Sequence, residues 1–316
     1  MPAEIWLPAA ALAVEACVGY PQALYARIAH PVVWMGKLIE MLERRWNDPT
    51  RGIAMRSVLG IATMLLVGGS AGAIGYAIQT GAQQLPFGTI IMVLVATMGL
   101  AQRSLYAHVR DVLRSLEGDD LSAARAAVSK IVGRDTVQLT SSGVSAAAIE
   151  SLAESFNDGI VAPAFWLAVG GLPGLFAYKA LNTADSLIGH REPRWRAFGW
   201  AAARADDVAN LIPARVAGLL IVLAGGGGLR VMWRDAPRHA SPNAGWPEAA
   251  MAGALEVELG GPATYEGVMH ERPLFGGGRR PHGGDLRRAL QIYLEACALL
   301  WALMLALAAG VLLWPH

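Results

Sequence analysis

Charge is scarce in this chain. Only 16% of its 316 residues are Asp, Glu, Lys or Arg, and the formal net charge is +1. No overall field therefore draws it to nucleic acid. Cysteine is scarcer still: Cys17 and Cys297 are far apart and both lie in apolar stretches. A disulfide framework or a cysteine metal site is excluded in favour of two thiols packing as small hydrophobes. There is no GxxxxGK[ST] phosphate loop, and the glycine run at 225–228 lacks the Lys and Ser/Thr that one needs. GxSxG occurs only as Gly68-Gly69-Ser70-Ala71-Gly72, inside a long apolar run rather than at the strand-to-helix turn of a nucleophile elbow, and no HExxH metal motif occurs. No Lys or Arg precedes the first apolar run, so a cleavable secretory signal is not expected. No internal repeat at a fixed period is present.

What remains is apolar. Hydrophobic residues make up 54% of the chain and the mean hydropathy is +0.38, above the roughly 45–50% apolar content of soluble domains. A membrane-crossing helix needs about 20 mostly apolar residues. Segments 57–78 and 289–314 meet that length, while 5–18 and 87–101 are shorter candidates. Two further stretches are interrupted: 159–180 by Gly170-Gly171-Leu172-Pro173-Gly174, and 208–229 by Pro213 and Arg215. The expected fold is an all-α polytopic membrane protein, a single integral-membrane domain over 1–316. It has about four full spans plus one or two broken or re-entrant helical segments, with cytoplasmic helices and loops.

Loop charge gives an orientation. Arg27, Lys37, Arg44, Arg45, Arg51 and Arg56 fall in 20–56, and residues 79–86 carry no charge. Arg103, Arg110, Arg114, Arg125, Lys130 and Arg134 fall in 102–157. Lys and Arg favour the cytoplasmic side, which puts 20–56 and 102–157 inside. Residues 190–204 (Arg191, Arg194, Arg196, Arg204) and 230–288 are basic too. Simple crossings would send one of them outside. Either a broken segment enters and returns, as happens where protein or water satisfies irregular backbone, or the charge rule fails for one loop. The 102–157 segment reads as cytoplasmic and helical, with 121–132 following a Gly118-Asp119-Asp120 start. Residues 230–288 read as a cytoplasmic Gly/Pro-rich loop with short helices, among them 251–261, and 276–284 as a mobile basic loop.

Acids and amides are set into the apolar middle third: Glu150, Glu154, Asn157, Asp158, Asn182, Asp185, Asp206, Asp207 and Asn210. Such groups are costly at membrane depth unless a cation, partner or substrate meets them. On a helix Glu150, Glu154 and Asp158 recur at i, i+4 and i+8 and share one face. A divalent metal carrying phosphates would relieve their repulsion, and a solvated acidic face is the plainer alternative. Asn182 and Asp185 suit helix capping as well as a site. Arg204 and Arg215 bracket Asp206, Asp207 and Asn210. They are suited to bidentate phosphate or carboxylate recognition, or to internal salt bridges with those acids. Arg134 in Gly133-Arg134-Asp135-Thr136 either positions an anion or pairs within a turn. Ser241-Pro242-Asn243 is turn chemistry first and a substrate loop second.

Six stretches in order, HPVVWMGKLIE (30–40), GRDT (133–136), ESLAESFNDGIVAPAFW (150–166), GGLPGLFAYKALNTADSLIG (170–189), FGWAAARADDVANLIPAR (198–215) and SPNAGWPEAAMAGALEVELGG (241–261), together resemble the CobD/CbiB family of cobalamin biosynthesis, the membrane-bound adenosylcobinamide-phosphate synthases. One departure is local: Ser155 stands where the family pattern carries Asn, and an Asn appears at 157. The resemblance implies ATP-dependent joining of adenosylcobyric acid to (R)-1-aminopropan-2-ol phosphate, with Mg²⁺ and ATP required and the corrinoid as substrate. It implies a multi-pass protein of the cell membrane with its active site facing the cytoplasm. The partners implied are the two substrates, the bilayer, and a second copy or other corrinoid-pathway enzymes, with no nucleic acid. Under that reading Glu154, Asp158 and Asp207 are the catalytic candidates. Glu150, Glu154, Asp158, Asp185 and Asp207 are the metal-ligand candidates. Arg134, Asn182, Arg204, Asn210 and Arg215 hold substrate or phosphate, and 276–284 closes over the corrinoid. Two alternatives stand beside it: a membrane Mg²⁺-dependent phosphotransferase acting on a lipid diphosphate, whose usual paired DxxxD motifs are absent here, and a non-catalytic scaffold or transporter of the corrinoid pathway.

Overall fold

The computed structural model describes residues 5–19, 30–190 and 192–313. Arg27 and Arg191, both counted in the loop charge, lie outside the described residues. The chain is a polytopic, predominantly helical membrane protein with little sheet. Four helical stretches are long and apolar enough to cross a bilayer: Ile53–Gln83, Gly88–Glu117, Ser141–Ile188 and Gly283–Leu313. A bent pair, Trp200–Ala209 with Leu211–Gly225, passes the same test jointly. This agrees with four spans plus broken segments. The N-terminal helix does not extend far enough: α1 (Leu7–Val18) has 12 residues, short of the roughly 20 that a span needs.

The chain forms two compact units. The first is Met1–Ala101, Ala162–Asn210 and Met304–His316; the second is Gln102–Val161 and Leu211–Leu303.

In the first unit α2 (Pro31–Trp46) starts at His30, whose Nδ1 accepts from Val32 N, and buries Ile39, Leu42 and Glu43. Next come α3 (Ile53–Gln83) and α4 (Gly88–Thr97). The chain returns to this unit in α8 (Ala162–Ile188) and α9 (Trp200–Ala209). Helix α3 packs along α8 through glycines, since small residues let backbones approach when lipid supplies no hydrophobic drive. A Cβ on Gly75 would lie 2.6 Å from Leu172 O, and one on Gly68 3.4 Å from a Leu181 methyl. The expected interruption at 170–174 is a kink. Gly171 sits at φ 60°, ψ −153°, and Pro173 follows inside the helix. The amide of Leu172 donates instead to Gln79 Oε1 on α3 at 2.9 Å. A side chain thus satisfies backbone freed at the kink, as an apolar surrounding demands.

The second unit holds α5 (Gln102–Glu117), α6 (Leu121–Val128), α7 (Ser141–Phe156) and, later in the chain, α10 (Leu211–Gly225). Asp120 caps α6 by accepting from Ala123 N at 2.9 Å, and the helix stops at Val128 rather than at 132. Every residue of α7 from Val144 to Ala153 is buried, which makes it the central helix of this unit. A single π turn, Asn157–Val161, follows it. It contains Asp158, so the i, i+4, i+8 register expected for Glu150, Glu154 and Asp158 holds only as far as Glu154.

Residues 230–288 hold the short helices expected of them and, in addition, short strands. They carry α11 (Leu229–Asp235), α12 (Gly245–Leu255) and four short strands, and lead into α13 (Gly283–Leu313). Strand β1 (Glu258–Gly260) pairs antiparallel with β4 (Leu274–Gly276), and β2 (Ala263–Tyr265) with β3 (Val268–His270). The helix expected over 251–261 therefore ends at Leu255 and continues as β1. The 276–284 segment is tied down rather than loose. Arg279 forks onto Asp285 at 2.6 and 2.9 Å, and Arg280 donates to Gly260 O at 2.9 Å.

Candidate active site

The residues put forward from the sequence fall into two groups, one in each unit. Glu150, Glu154, Asp158, Arg134 and Arg215 belong to the second. Asn182, Asp185, Arg204, Asp207 and Asn210 belong to the first.

In the second unit Glu150 is the anchor, 2% exposed on α7. Its Oε1 accepts from Gly260 N at 2.8 Å, at the end of β1. Its Oε2 accepts from Arg134 Nη2 and, at 3.1 Å, from Arg272 Nη1. Arg272, on the β3–β4 connection, also lies 3.7 Å from Oε2 of Glu248. Glu248 is buried in the first turn of α12, and its Oε1 is 3.7 Å from His239 Nε2. Two guanidiniums thus stand among two buried carboxylates. Burial lowers the pKa of Arg272, but the charges of Glu150 and Glu248 outweigh that and leave it raised. Glu248 is pushed well above the usual carboxylate range, first by desolvation and then by the charges of Glu150 and Glu154. Glu154, one turn beyond Glu150, is exposed. In the π turn Asn157 Nδ2 donates to Asp158 Oδ1 at 2.7 Å; π turns inside helices are frequent at functional sites.

A cavity of about 730 Å³ opens beside this cluster. Arg134 and Arg280 supply cations, Asp135 a carboxylate, and Thr136, Gln138 and Thr264 neutral polar groups. Arg134 both braces Glu150 and faces the cavity, a combination suited to holding an anion. Arg215 is built in differently. Its Nη1 donates to Asn243 Oδ1 at 2.6 Å and to Leu211 O at 3.0 Å, and its guanidinium lies 4.6 Å from the Trp246 ring centroid. Trp246 Nε1 in turn donates to Pro242 O at 3.0 Å. The Ser241-Pro242-Asn243 turn therefore positions Arg215, and no acid pairs with it in an ion pair among the described residues.

In the first unit the hub is Asp206. Its Oδ1 accepts from Asn182 Nδ2 at 3.3 Å and its Oδ2 from Asn210 Nδ2 at 3.0 Å. Asn210 Oδ1 accepts from Tyr178 OH at 3.2 Å, and Asn182 Oδ1 from Lys179 Nζ at 3.5 Å. Arg204 pairs with Asp207 at 2.7 Å, the internal salt bridge that was the alternative for this motif. Asp185 rests against Gly189, where a Cβ would come 1.9 Å from its Oδ1.

Sequence reasoning missed Arg272, Glu248, Tyr178 and Lys179, and it ranked Asp206 below Asp207. Lys179 and Glu248 had a signal, a charge inside the apolar runs 175–181 and 246–255. Arg272 had none, because its partner is 122 residues away.

Among the described residues no three His, Cys, Asp or Glu side chains are grouped so as to hold a metal ion. Glu150 has both carboxylate oxygens engaged by cations and an amide. A resident metal held by the five carboxylates proposed from the sequence does not fit that arrangement.

The model of the family described as CobD/Cbib protein matches residues 8–293. The chain belongs to the CobD/CbiB family. It is 49% identical over 292 residues to a protein of Rhodobacter capsulatus named cobalamin biosynthesis protein CobD, covering 91% of this chain and 92% of the relative. Proteins of the same name from Sinorhizobium sp and Brucella suis biovar 1 are 44% and 46% identical, over 95% and 94% of this chain and 97% and 94% of theirs. No solved structure matches. Both side-chain clusters lie within the span of the CobD/CbiB match, as do the six motifs that carried the resemblance.

Proposed function

We propose that this protein acts in cobalamin biosynthesis as an amide-forming ligase, joining the free carboxylate of adenosylcobyric acid to the amine of (R)-1-aminopropan-2-ol phosphate at the expense of ATP. Its support is membership of the CobD/CbiB family together with one observation: the Arg134–Glu150–Arg272–Glu248 cluster, its two carboxylates buried, bordering a cavity lined by Arg134, Arg280 and Asp135. A carboxylate and an amine do not condense readily in water, so the carboxylate needs activation. In the proposed sequence a carboxylate oxygen attacks the γ-phosphorus of ATP and ADP leaves. The amine nitrogen then attacks the acyl carbon, inorganic phosphate leaves, and the nitrogen gives up a proton. Mg²⁺ carried in as part of the ATP substrate would offset charge on the phosphates.

The roles of this chain's residues follow from their surroundings. Fixed cations such as Arg134 stabilise charge that develops on transferring oxygens. Glu150 is too thoroughly engaged to react and holds Arg134 and Arg272 in position. Exposed Glu154 is the base for the amine, with Asp158 beside it in the chain. The first unit, taken by itself, offers amides and a cation to a phosphate-bearing molecule: Asp206 orders Asn182 and Asn210, and Asp207 holds Arg204. ATP supply places the reaction on the cytoplasmic side of the cell membrane, as the loop charges also suggest.

The test is the Glu154→Gln variant, purified and given corrinoid, amine and ATP. Loss of amide product with unchanged thermal unfolding supports the assignment. Full activity would remove Glu154 from the chemistry.

A further inference from the structure

A cleft of about 840 Å³, lined by two arginines and by none of the residues assigned to the reaction, lies within the first unit. One wall is the first turn of α3, with Ile53, Arg56 and Ser57; the other is the segment leading into α9, with Arg196 and Trp200. Arg56 is pre-positioned. Its Nε donates to Asn47 Oδ1 at 2.8 Å and its Nη2 to the Arg194 carbonyl. Arg196 is exposed, and its side chain has no hydrogen-bond or ion-pair partner among the described residues. Neighbouring Arg194 is by contrast neutralised by Glu43 at 3.1 Å. Among the described residues no carboxylate lines the cleft. Helix α3 begins here without a side-chain cap, so the positive end of its dipole faces the same space.

The apolar half of the cleft identifies the occupant. Ile53 is 76% exposed and Trp200 53%, and Met55 and Val58 on the same turn of α3 are exposed as well. Since α3 is long and apolar enough to cross the bilayer, its first turn stands where hydrocarbon gives way to headgroups. Trp belongs at that level, and Lys or Arg there attract anionic lipid. A soluble phosphate would use the cations and leave the apolar rim bare; a phospholipid uses both.

We propose that this cleft is a binding site for an anionic phospholipid of the surrounding bilayer, its phosphate held by Arg56, Arg196 and Ser57 and its acyl chains lying along Ile53 and Trp200. Independent of the reaction proposed above, the site would tie α3 to the segment entering α9. The full chain is placed in nanodiscs of phosphatidylcholine alone or mixed with phosphatidylglycerol, and retained lipid is counted by native mass spectrometry while thermal unfolding is followed. The wild type should retain phosphatidylglycerol in preference to phosphatidylcholine and unfold at higher temperature when it is present. Arg196→Gln should behave as wild type in phosphatidylcholine and lose about fivefold in that preference, the worth of one cation near an anionic surface. Soluble glycerol 3-phosphate should shift neither protein. Equal retention of the two lipids by the wild type, or an equal preference in the variant, overturns the proposal. A shift of the wild type by glycerol 3-phosphate alone overturns it too, by making the cleft a site for soluble phosphate.

Discussion

Arg272 donates to Glu150 at 3.1 Å across 122 residues of sequence, and this contact fastens the β3–β4 connection to the central helix of its unit. Removing one member of a buried ion pair leaves its partner uncompensated, at a cost of about 3–5 kcal/mol. Arg272→Ala should therefore lower thermal stability by that order, and Arg272→Lys by less, since Lys keeps the charge but loses the fork. Unfolding in detergent monitored by circular dichroism measures both. An alanine variant as stable as wild type would mean that the cluster contributes nothing to the fold.

Glu248 makes stability depend on pH. Its folded-state pKa is raised by desolvation and then by Glu150 and Glu154, so the folded protein binds a proton that the unfolded chain releases near the ordinary carboxylate pKa. Stability then falls as pH rises above about 4.5 and continues to fall until the raised value is passed. Glu248→Gln keeps the shape and removes the titration. It should flatten this part of the curve and gain on the wild type toward higher pH. An unchanged slope in the variant would place the titration elsewhere.

Gly60 and Gly69 lie on the same helix with opposite surroundings. A Cβ at Gly60 would fall 2.0 Å from Phe198 O, while one at Gly69 meets nothing within 4 Å. Gly60→Ala should destabilise by about 1–3 kcal/mol through overpacking. Gly69→Ala should be neutral or stabilising by about 1 kcal/mol, the helix propensity difference. Thermal unfolding of the pair decides it, and equal behaviour would refute the close approach at Phe198.

Asp206 and Asp207 separate structure from chemistry. Asp206 orders Asn182 and Asn210, so Asp206→Ala should lose activity and stability together. Asp207 pairs with Arg204. Asp207→Asn should cut turnover by roughly 10²-fold or more while the protein stays folded in membranes. Full turnover in that variant would take Asp207 out of the mechanism.

Much of this was legible in the sequence because membrane helices are written in long apolar runs. The spans at 57–78 and 289–314, the interruption at 170–174 and the cap at Asp120 were all readable by local rules. The Asp206–Asn210 contact follows from i, i+4 spacing, and the Arg204–Asp207 pair was one of two stated readings. What failed was non-local. The strands within 258–276 are three residues each, too short to show alternation. The Gly/Pro content that suggested loose loop is instead the turn chemistry of a compact β segment, with Gly260, Gly261, Gly267 and Gly276 at positive φ. The π turn at Asn157 has no sequence mark, and it moved Asp158 out of the register read from a regular helix. Glu150 looked like a metal ligand because neither Arg272 nor Gly260 could be placed beside it from spacing alone.

The most direct measurement is a reconstituted reaction. Purified protein in lipid is given adenosylcobyric acid, (R)-1-aminopropan-2-ol phosphate and MgATP, with mass detection of corrinoid and nucleotide products. The proposed activity predicts adenosylcobinamide phosphate and ADP in equal amounts, and neither when the amine is left out. Unchanged corrinoid with active protein and all three substrates present, or transfer to a lipid diphosphate supplied in their place, would contradict it.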